Sequence, residues 1–181
     1  MRFTETAIRG AFIVDLEPHS DERGFFSRTF CARELAEHGL TTTISQVNTS
    51  FNRLRGTLRG LHYQDEPAPE AKLVRCVAGV IFDVLVDMRP DSPTYLRHVA
   101  VELSAVNRRQ LFIPELCAAG YQTLADDTEV TYQVSEFYTP ETERGMRYDD
   151  PALGINWPLP VTAISAKDAA WPLLSLEEVR P

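Results

Sequence analysis

Lys72-Leu73-Val74-Arg75-Cys76-Val77-Ala78-Gly79, continued by Val80-Ile81-Phe82-Asp83-Val84-Leu85-Val86-Asp87-Met88-Arg89, is the stretch whose reading decides the fold. It is crowded with β-branched and aromatic side chains, which suit a pleated, half-buried surface. Asp83 and Asp87 fall on one alternation phase, Val84 and Val86 on the other. A period of two predicts two strands joined near Gly79. The same signals recur further along. One strand fits Arg97 to Leu103, and another fits Arg109 to Ile113, where Pro114 punctuates. A third fits Glu129 to Phe137, Glu-Val-Thr-Tyr-Gln-Val-Ser-Glu-Phe. The one persuasive helix is short, around Ala32 to His38, with acidic and alanine content. Short strands separated by Gly, Pro and Asp breaks predict an all-β sandwich or barrel, a jelly roll. No repeat, low-complexity tract or linker divides the chain. It reads as a single domain over 1–181, with a Pro-rich arm from Trp157 to Pro181.

Composition bounds the function. The chain has 181 residues and a formal net charge of −8. That charge argues against nucleic acid and anionic membrane as partners. It also means that any phosphate or carboxylate must bind in a local basic pocket. Cys31, Cys76 and Cys117 cannot all pair internally, and their spacing fits neither a zinc site nor a redox pair. The N-terminal Met1-Arg2-Phe3-Thr4-Glu5-Thr6 lacks an apolar signal core, and no run is long enough to span a bilayer. A reduced, cytoplasmic protein is the simplest expectation.

The chemistry concentrates in Arg59-Gly60-Leu61-His62-Tyr63-Gln64. Histidine changes charge near neutral pH without environmental help. Arginine clamps phosphate or carboxylate. Lys72 adds an ammonium ten residues on. A base, an anion clamp and an ammonium suggest proton abstraction from an anionic substrate. Tyr132, mid-strand in Val-Thr-Tyr-Gln-Val, could donate a proton to a developing enolate. Taken singly, Tyr132 reads first as an ordinary strand aromatic, Lys72 as a strand-end lysine, and Asp168 as a turn or helix-start aspartate. Arg23-Gly24-Phe25-Phe26 reads as a turn entering an edge strand.

Together these pieces have a recognisable order. Asp21-Glu22-Arg23-Gly24-Phe25-Phe26, Gln46-Val47-Asn48-Thr49-Ser50 and Leu58-Arg59-Gly60-Leu61-His62-Tyr63-Gln64 are followed by Lys72-Leu73-Val74-Arg75, Ile113-Pro114, Tyr132 and Tyr138-Thr139-Pro140. Ile155-Asn156-Trp157-Pro158 and Ser165-Ala166-Lys167-Asp168 close the series. The chain resembles the dTDP-4-dehydrorhamnose 3,5-epimerase family over nearly its whole length.

That resemblance implies a metal-free cupin, a jelly-roll barrel that dimerises by exchanging N-terminal strands, with no cofactor. It implies a nucleotide-linked 4-keto-6-deoxyhexose, dTDP-linked, as substrate in deoxysugar biosynthesis. His62 matches the family's catalytic base, Asp168 the carboxylate paired with it, Tyr132 the acid on the opposite sugar face, and Lys72 the residue near the C4 carbonyl. Arg59 matches a diphosphate contact, and Arg23 a contact thought to reach in from the neighbouring subunit. Gln46, Asn48, Glu143 and Lys167 match substrate-binding positions; Phe26, in the N-terminal motif, and Arg28, just after it, are also expected at the nucleotide. Tyr138 matches the aromatic that stacks on the nucleotide base. His62 is followed by Tyr63 and Gln64, so the pair of histidines two apart that marks metal cupins is missing.

Two positions depart from the family pattern. Ala119 stands where a histidine is usual, and Leu116 replaces a glycine in the same loop. A lost polar partner weakens recognition of a hydroxyl. Arg28 stands where a glutamate is usual; arginine donates only, whereas glutamate accepts from a base N–H. Three functional classes follow: a 3,5-epimerase, an epimerase of C3 or C5 alone on a variant or CDP-linked sugar, and a weakly catalytic sugar-nucleotide-binding protein.

Overall fold

The computed structural model describes residues 1–175. In chain order its elements are β1 (Arg2–Glu5), β2 (Phe12–Asp15), β3 (His19–Asp21), β4 (Gly24–Phe26), α1 (Ala32–Glu37), β5 (Gln46–Asn52), β6 (Leu58–Gln64), β7 (Lys72–Ala78) and β8 (Val80–Asp87). Then come β9 (His98–Ser104), β10 (Gln110–Ile113), β11 (Cys117–Thr123), β12 (Thr128–Val134), β13 (Glu143–Gly145) and α2 (Ala166–Ala169). The chain is all-β apart from two short helices, as the alternation predicted. No helix among the described residues is long and apolar enough to cross a membrane.

Two antiparallel sheets form the barrel. One runs in the order β1-β2-β10-β7-β12-β5, the other β13-β6-β11-β8-β9. The two strands expected around Gly79 are β7 and β8, and they lie in different sheets. Gly79 turns between them at φ +75, and a Cβ there would strike Thr128. The strand expected to reach Phe137 stops at Val134, because Val134 faces Lys72, the first residue of β7, and pairing ends there. Phe137 is left 62% exposed. The expected helix ends one residue early, with His38 as its C-cap.

Burial on β8 shows how the barrel is filled. Ile81 and Leu85 point into the inter-sheet core with Cys76, Leu111, Ile113 and Val130. Val84 and Val86 point the other way, where Leu61, Ala118, Met146 and Leu153 cover them. Both faces of β8 are therefore covered. The aspartate phase is the inward one at Asp83, which is 1% exposed. On the outer face of the larger sheet, Leu35 of α1 packs with Val14, Leu73 and Phe112.

The described part of the C-terminal arm is stitched to the smaller sheet. Leu58 N–H donates to the Ala163 carbonyl at 2.8 Å. Gln122 donates to the Leu159 carbonyl, and Trp157 Nε1 to the Tyr148 carbonyl, also at 2.8 Å each. This carries α2, and with it Asp168, to β6. Residues 176–181 of the arm lie outside the described residues.

Candidate active site

A cavity of about 770 Å³ opens between the sheets, a size that suits a small ligand. His62 and Arg59 reach it from β6, Ala119 and Tyr121 from β11, Asp83 from β8, Lys72 from β7 and Tyr132 from β12. Strict alternation would send Arg59 and His62, three apart, to opposite faces. A bulge resolves this: Ala119 pairs with His62 while Tyr121 pairs with Arg59, so β6 spends one extra residue there. Gly60 is the residue that permits it. Its φ is +103, and a Cβ would come within 2.5 Å of the Ala119 carbonyl oxygen and 2.6 Å of Gly120 Cα. Only glycine accepts that backbone angle and that approach together.

His62 Nε2 lies 2.7 Å from Asp168 Oδ1. The second carboxylate oxygen accepts from Gly60 N–H at 3.3 Å, and Ser165 Oγ caps α2 by accepting from Asp168 N–H at 3.0 Å. Burial pushes the Asp168 carboxyl up. The His62 hydrogen bond and charge, the Gly60 N–H and Ser165 outweigh it, so the group sits below the usual carboxylate range. An ionised Asp168 holds the Nε2–H tautomer, which leaves Nδ1 with its lone pair as the basic nitrogen.

Tyr132 stands on the opposite sheet. Burial, then the charges of Tyr121 and Glu70, push its phenol up, with Arg59 partly opposing. It stays protonated at neutral pH and can donate. Lys72 Nζ is anchored by Glu70 at 3.0 Å and by the His62 carbonyl at 3.2 Å. A base on one wall, a phenol on the other and an ammonium between can move protons on and off carbons beside a carbonyl, from two faces.

The model of dTDP-4-dehydrorhamnose 3,5-epimerases matches residues 5–176. The chain belongs to this family. The dTDP-4-dehydrorhamnose 3,5-epimerase of Methanothermobacter thermautotrophicus is 46% identical over 173 residues, covering 94% of this chain and 92% of that protein. Among solved structures, the epimerase of Bacillus anthracis with TDP and pyrophosphate bound superposes with a TM-score of 0.92 at 38% identity, covering 96% of this chain and 99% of that one. The Legionella pneumophila enzyme in complex with dTDP-4-keto-L-rhamnose gives 0.89 at 40% identity, covering 99% and 97%. Those neighbours bear out the cupin-type barrel expected from the resemblance.

Within this epimerase-family barrel, His62, Asp168, Lys72, Tyr132, Arg59 and Lys167 line one cavity. Glu143 and Tyr138 stand at its rim. Glu143 accepts from Lys167 Nζ and from the Tyr138 hydroxyl at 2.7 Å, and Tyr138 N–H donates to Gln46 at 2.9 Å. Asn48 is the β5 register partner of Tyr132. Arg23, Phe26 and Arg28 lie outside the cavity. The β3–β4 hairpin pairs only with itself. Arg23 binds Asp21, and Phe26 is 70% exposed. Arg28 pairs with Glu34 at 3.2 Å.

Sequence reasoning missed three features of the site. Arg59 Nε donates to Asn52 Oδ1 at 2.7 Å, Asn52 donates to the Tyr121 hydroxyl at 3.3 Å, and Ser50 shares a hydrogen bond with it at 2.9 Å. That chain of contacts orients the Arg59 guanidinium. Trp171 packs over Gly145, its ring centroid 6.4 Å from that of His62 and 5.9 Å from Lys167 Nζ. Asp83 is the third. Its signal was available: an acidic residue inside a continuous apolar run. Ala119 sits directly across from His62 in the β6–β11 register, so the departure from family pattern lies beside the proposed base.

Proposed function

We propose that this chain, as one continuous domain, inverts C3 and C5 of a dTDP-linked 4-keto-6-deoxyhexose in deoxysugar biosynthesis, without a cofactor. The observation that carries this reading is the His62–Asp168 pair on one wall of the cavity with the Tyr132 phenol on the other. The C4 ketone acidifies hydrogens at both neighbouring carbons. His62 Nδ1 removes one. Asp168 stabilises the imidazolium that forms, the orienting role of a triad carboxylate. Charge collects on the C4 oxygen, which Lys72 stabilises. Tyr132 returns a proton to the opposite face, worth about 10²–10⁴-fold. Arg59, braced by Asn52, takes the diphosphate, and Tyr138 the base.

The reading includes a second copy of the chain. The β3–β4 hairpin has no neighbouring strand within its own sheet, and Arg23 and Phe26 stand in solvent. In a dimer exchanging its N-terminal strands they reach the neighbour's cavity. Size-exclusion chromatography with light scattering tests this; a monomer contradicts it.

Ala119 favours a second reading, epimerisation at one carbon only, because it removes a polar group from the strand position paired with His62, on the same wall of the cavity. Incubation with a dTDP-4-keto-6-deoxyhexose in D₂O, followed by NMR, separates the readings. Deuterium at C3 and C5 supports the double epimerase, and deuterium at one carbon the single. No incorporation with tight nucleotide binding leaves only a binding protein. Arg28 raises the question of the base, and comparing affinities for dTDP, UDP and CDP answers it; a clear preference for dTDP removes the cytosine alternative.

A further inference from the structure

Asp83 stands mid-strand on the inward face of β8, flanked on that face by Ile81 and Leu85. It is 1% exposed, yet it belongs to the cavity wall. Its Oδ2 has no hydrogen-bond partner. The nearest cationic contribution comes from Lys72, whose ammonium is already engaged by Glu70 and the His62 carbonyl, and no ion pair within 4 Å joins it to Asp83. The groups that face Asp83 from its neighbours are Lys72 and Cys76 on β7 and Tyr121 on β11, while its β9 partner is the apolar Val101. Burial pushes the Cys76 thiol up to about 11 and the Tyr121 phenol up as well, so both are uncharged at neutral pH. Burial likewise pushes the Asp83 carboxyl up to about 8, with Lys72 and the Val84 N–H opposing it only in part.

A buried carboxylate without a bonded cation is expensive, and the cheaper state binds a proton. A neutral carboxyl has an O–H that must find an acceptor. The orphaned Oδ2 is itself closed off, so the carboxyl gives that role to a ligand by turning toward the cavity that it lines. We propose that Asp83 is an uncharged carboxylic acid in the folded protein and donates a hydrogen bond to an oxygen of the bound sugar. This rests on the epimerase reading of the same cavity. The chemistry agrees with it: a carboxylate would repel the charge that grows on the sugar, whereas a carboxyl kept neutral by an apolar site stabilises it.

Asparagine reproduces a neutral carboxyl's donor and acceptor, and leucine reproduces neither. The wild type should lose activity above about pH 8, and Asp83→Asn should keep kcat within about tenfold and lack that fall. Asp83→Leu should lose about 10²–10³ in kcat, the range for a missing oxyanion donor, with dTDP affinity unchanged. An infrared difference spectrum, wild type minus Asp83→Asn, should show at pH 7 a protonated carboxyl band that moves in D₂O. The band should move again when a dTDP-4-keto-6-deoxyhexose binds to the His62→Ala protein, which does not turn it over. Absence of the band, or an Asp83→Asn enzyme as impaired as Asp83→Leu, overturns the proposal and leaves the epimerase reading standing. A band present in a protein that never exchanges sugar hydrogens sinks the epimerase reading instead. Should the leucine protein fail to fold, the spectrum and the asparagine profile still decide.

Discussion

Replacing Asp83 by asparagine should change how stability depends on pH. The Asp83 carboxyl rises from the ordinary 3.8 to about 8 on folding. Its folded form therefore binds a proton that its unfolded form has released, across the window from about pH 4 to 8. In that window the unfolded state binds fewer protons, so stability falls as pH rises. A roughly four-decade change in proton affinity, at about 1.36 kcal/mol per decade, is on the order of 5 kcal/mol by pH 8. The amide of the Asp83→Asn protein does not titrate and carries no such linkage. Other carboxylates titrate in both proteins and cancel in the difference. Urea unfolding at fixed protomer concentration, at pH 5 and pH 8, gives the comparison. The wild type should lose about 4 kcal/mol relative to Asp83→Asn between these two points. Parallel stability curves would refute the reasoning, because they mean that Asp83 has the same proton affinity folded and unfolded.

Other consequences can be checked on the same preparations. Asp87 is fully buried and accepts from Arg89 Nε at 2.7 Å and from the Ser92 and Thr94 hydroxyls at 2.6 Å each. Burial pushes its carboxyl up but Arg89, Ser92 and Thr94 win, holding it at about 2. Asp87→Ala should cost about 3–5 kcal/mol in denaturant at neutral pH, and the gap should narrow as the pH falls from about 4 through 2, where the wild type loses this contribution. Leu116 holds a left-handed φ of 55. Leu116→Gly should relieve roughly 1–2 kcal/mol of strain against about 0.5–1 of added chain entropy, and so leave calorimetric stability unchanged or slightly raised; a marked drop in Tm contradicts this. Gly60→Ala should lose at least about 2 kcal/mol in chemical denaturation, from the positive φ and the backbone clash with Ala119 and Gly120. It should also abolish turnover, because the same residue shapes the bulge that aims His62.

Much of the barrel was legible because β7, β8, β9, β10 and β12 carry the alternation of strands with covered faces. β11 was not, since Cys117-Ala118-Ala119-Gly120-Tyr121 has little strand propensity of its own; it forms because β6 and β8 pair with it on both sides. His62, Asp168, Lys72 and Tyr132 were legible through motif order, and they converge on one cavity. The bulge at Gly60 was not, because a two-residue period cannot announce an extra residue. Nor was the Arg59–Asn52–Tyr121 chain of contacts, which joins the consecutive strands β5 and β6 to β11, far along the chain. Asp83 was visible as an acidic residue inside an apolar run, but its role was not, because alternation separates two phases without saying which one faces inward.

The central claim is that His62, oriented by Asp168, is the base of an epimerase. Its most direct test is deuterium incorporation from D₂O into a dTDP-4-keto-6-deoxyhexose, wild type against His62→Ala, with dTDP affinity measured on both. The account predicts deuterium at C3 and C5 with the wild type, none with His62→Ala, and equal nucleotide affinity. Incorporation that persists in His62→Ala would contradict it.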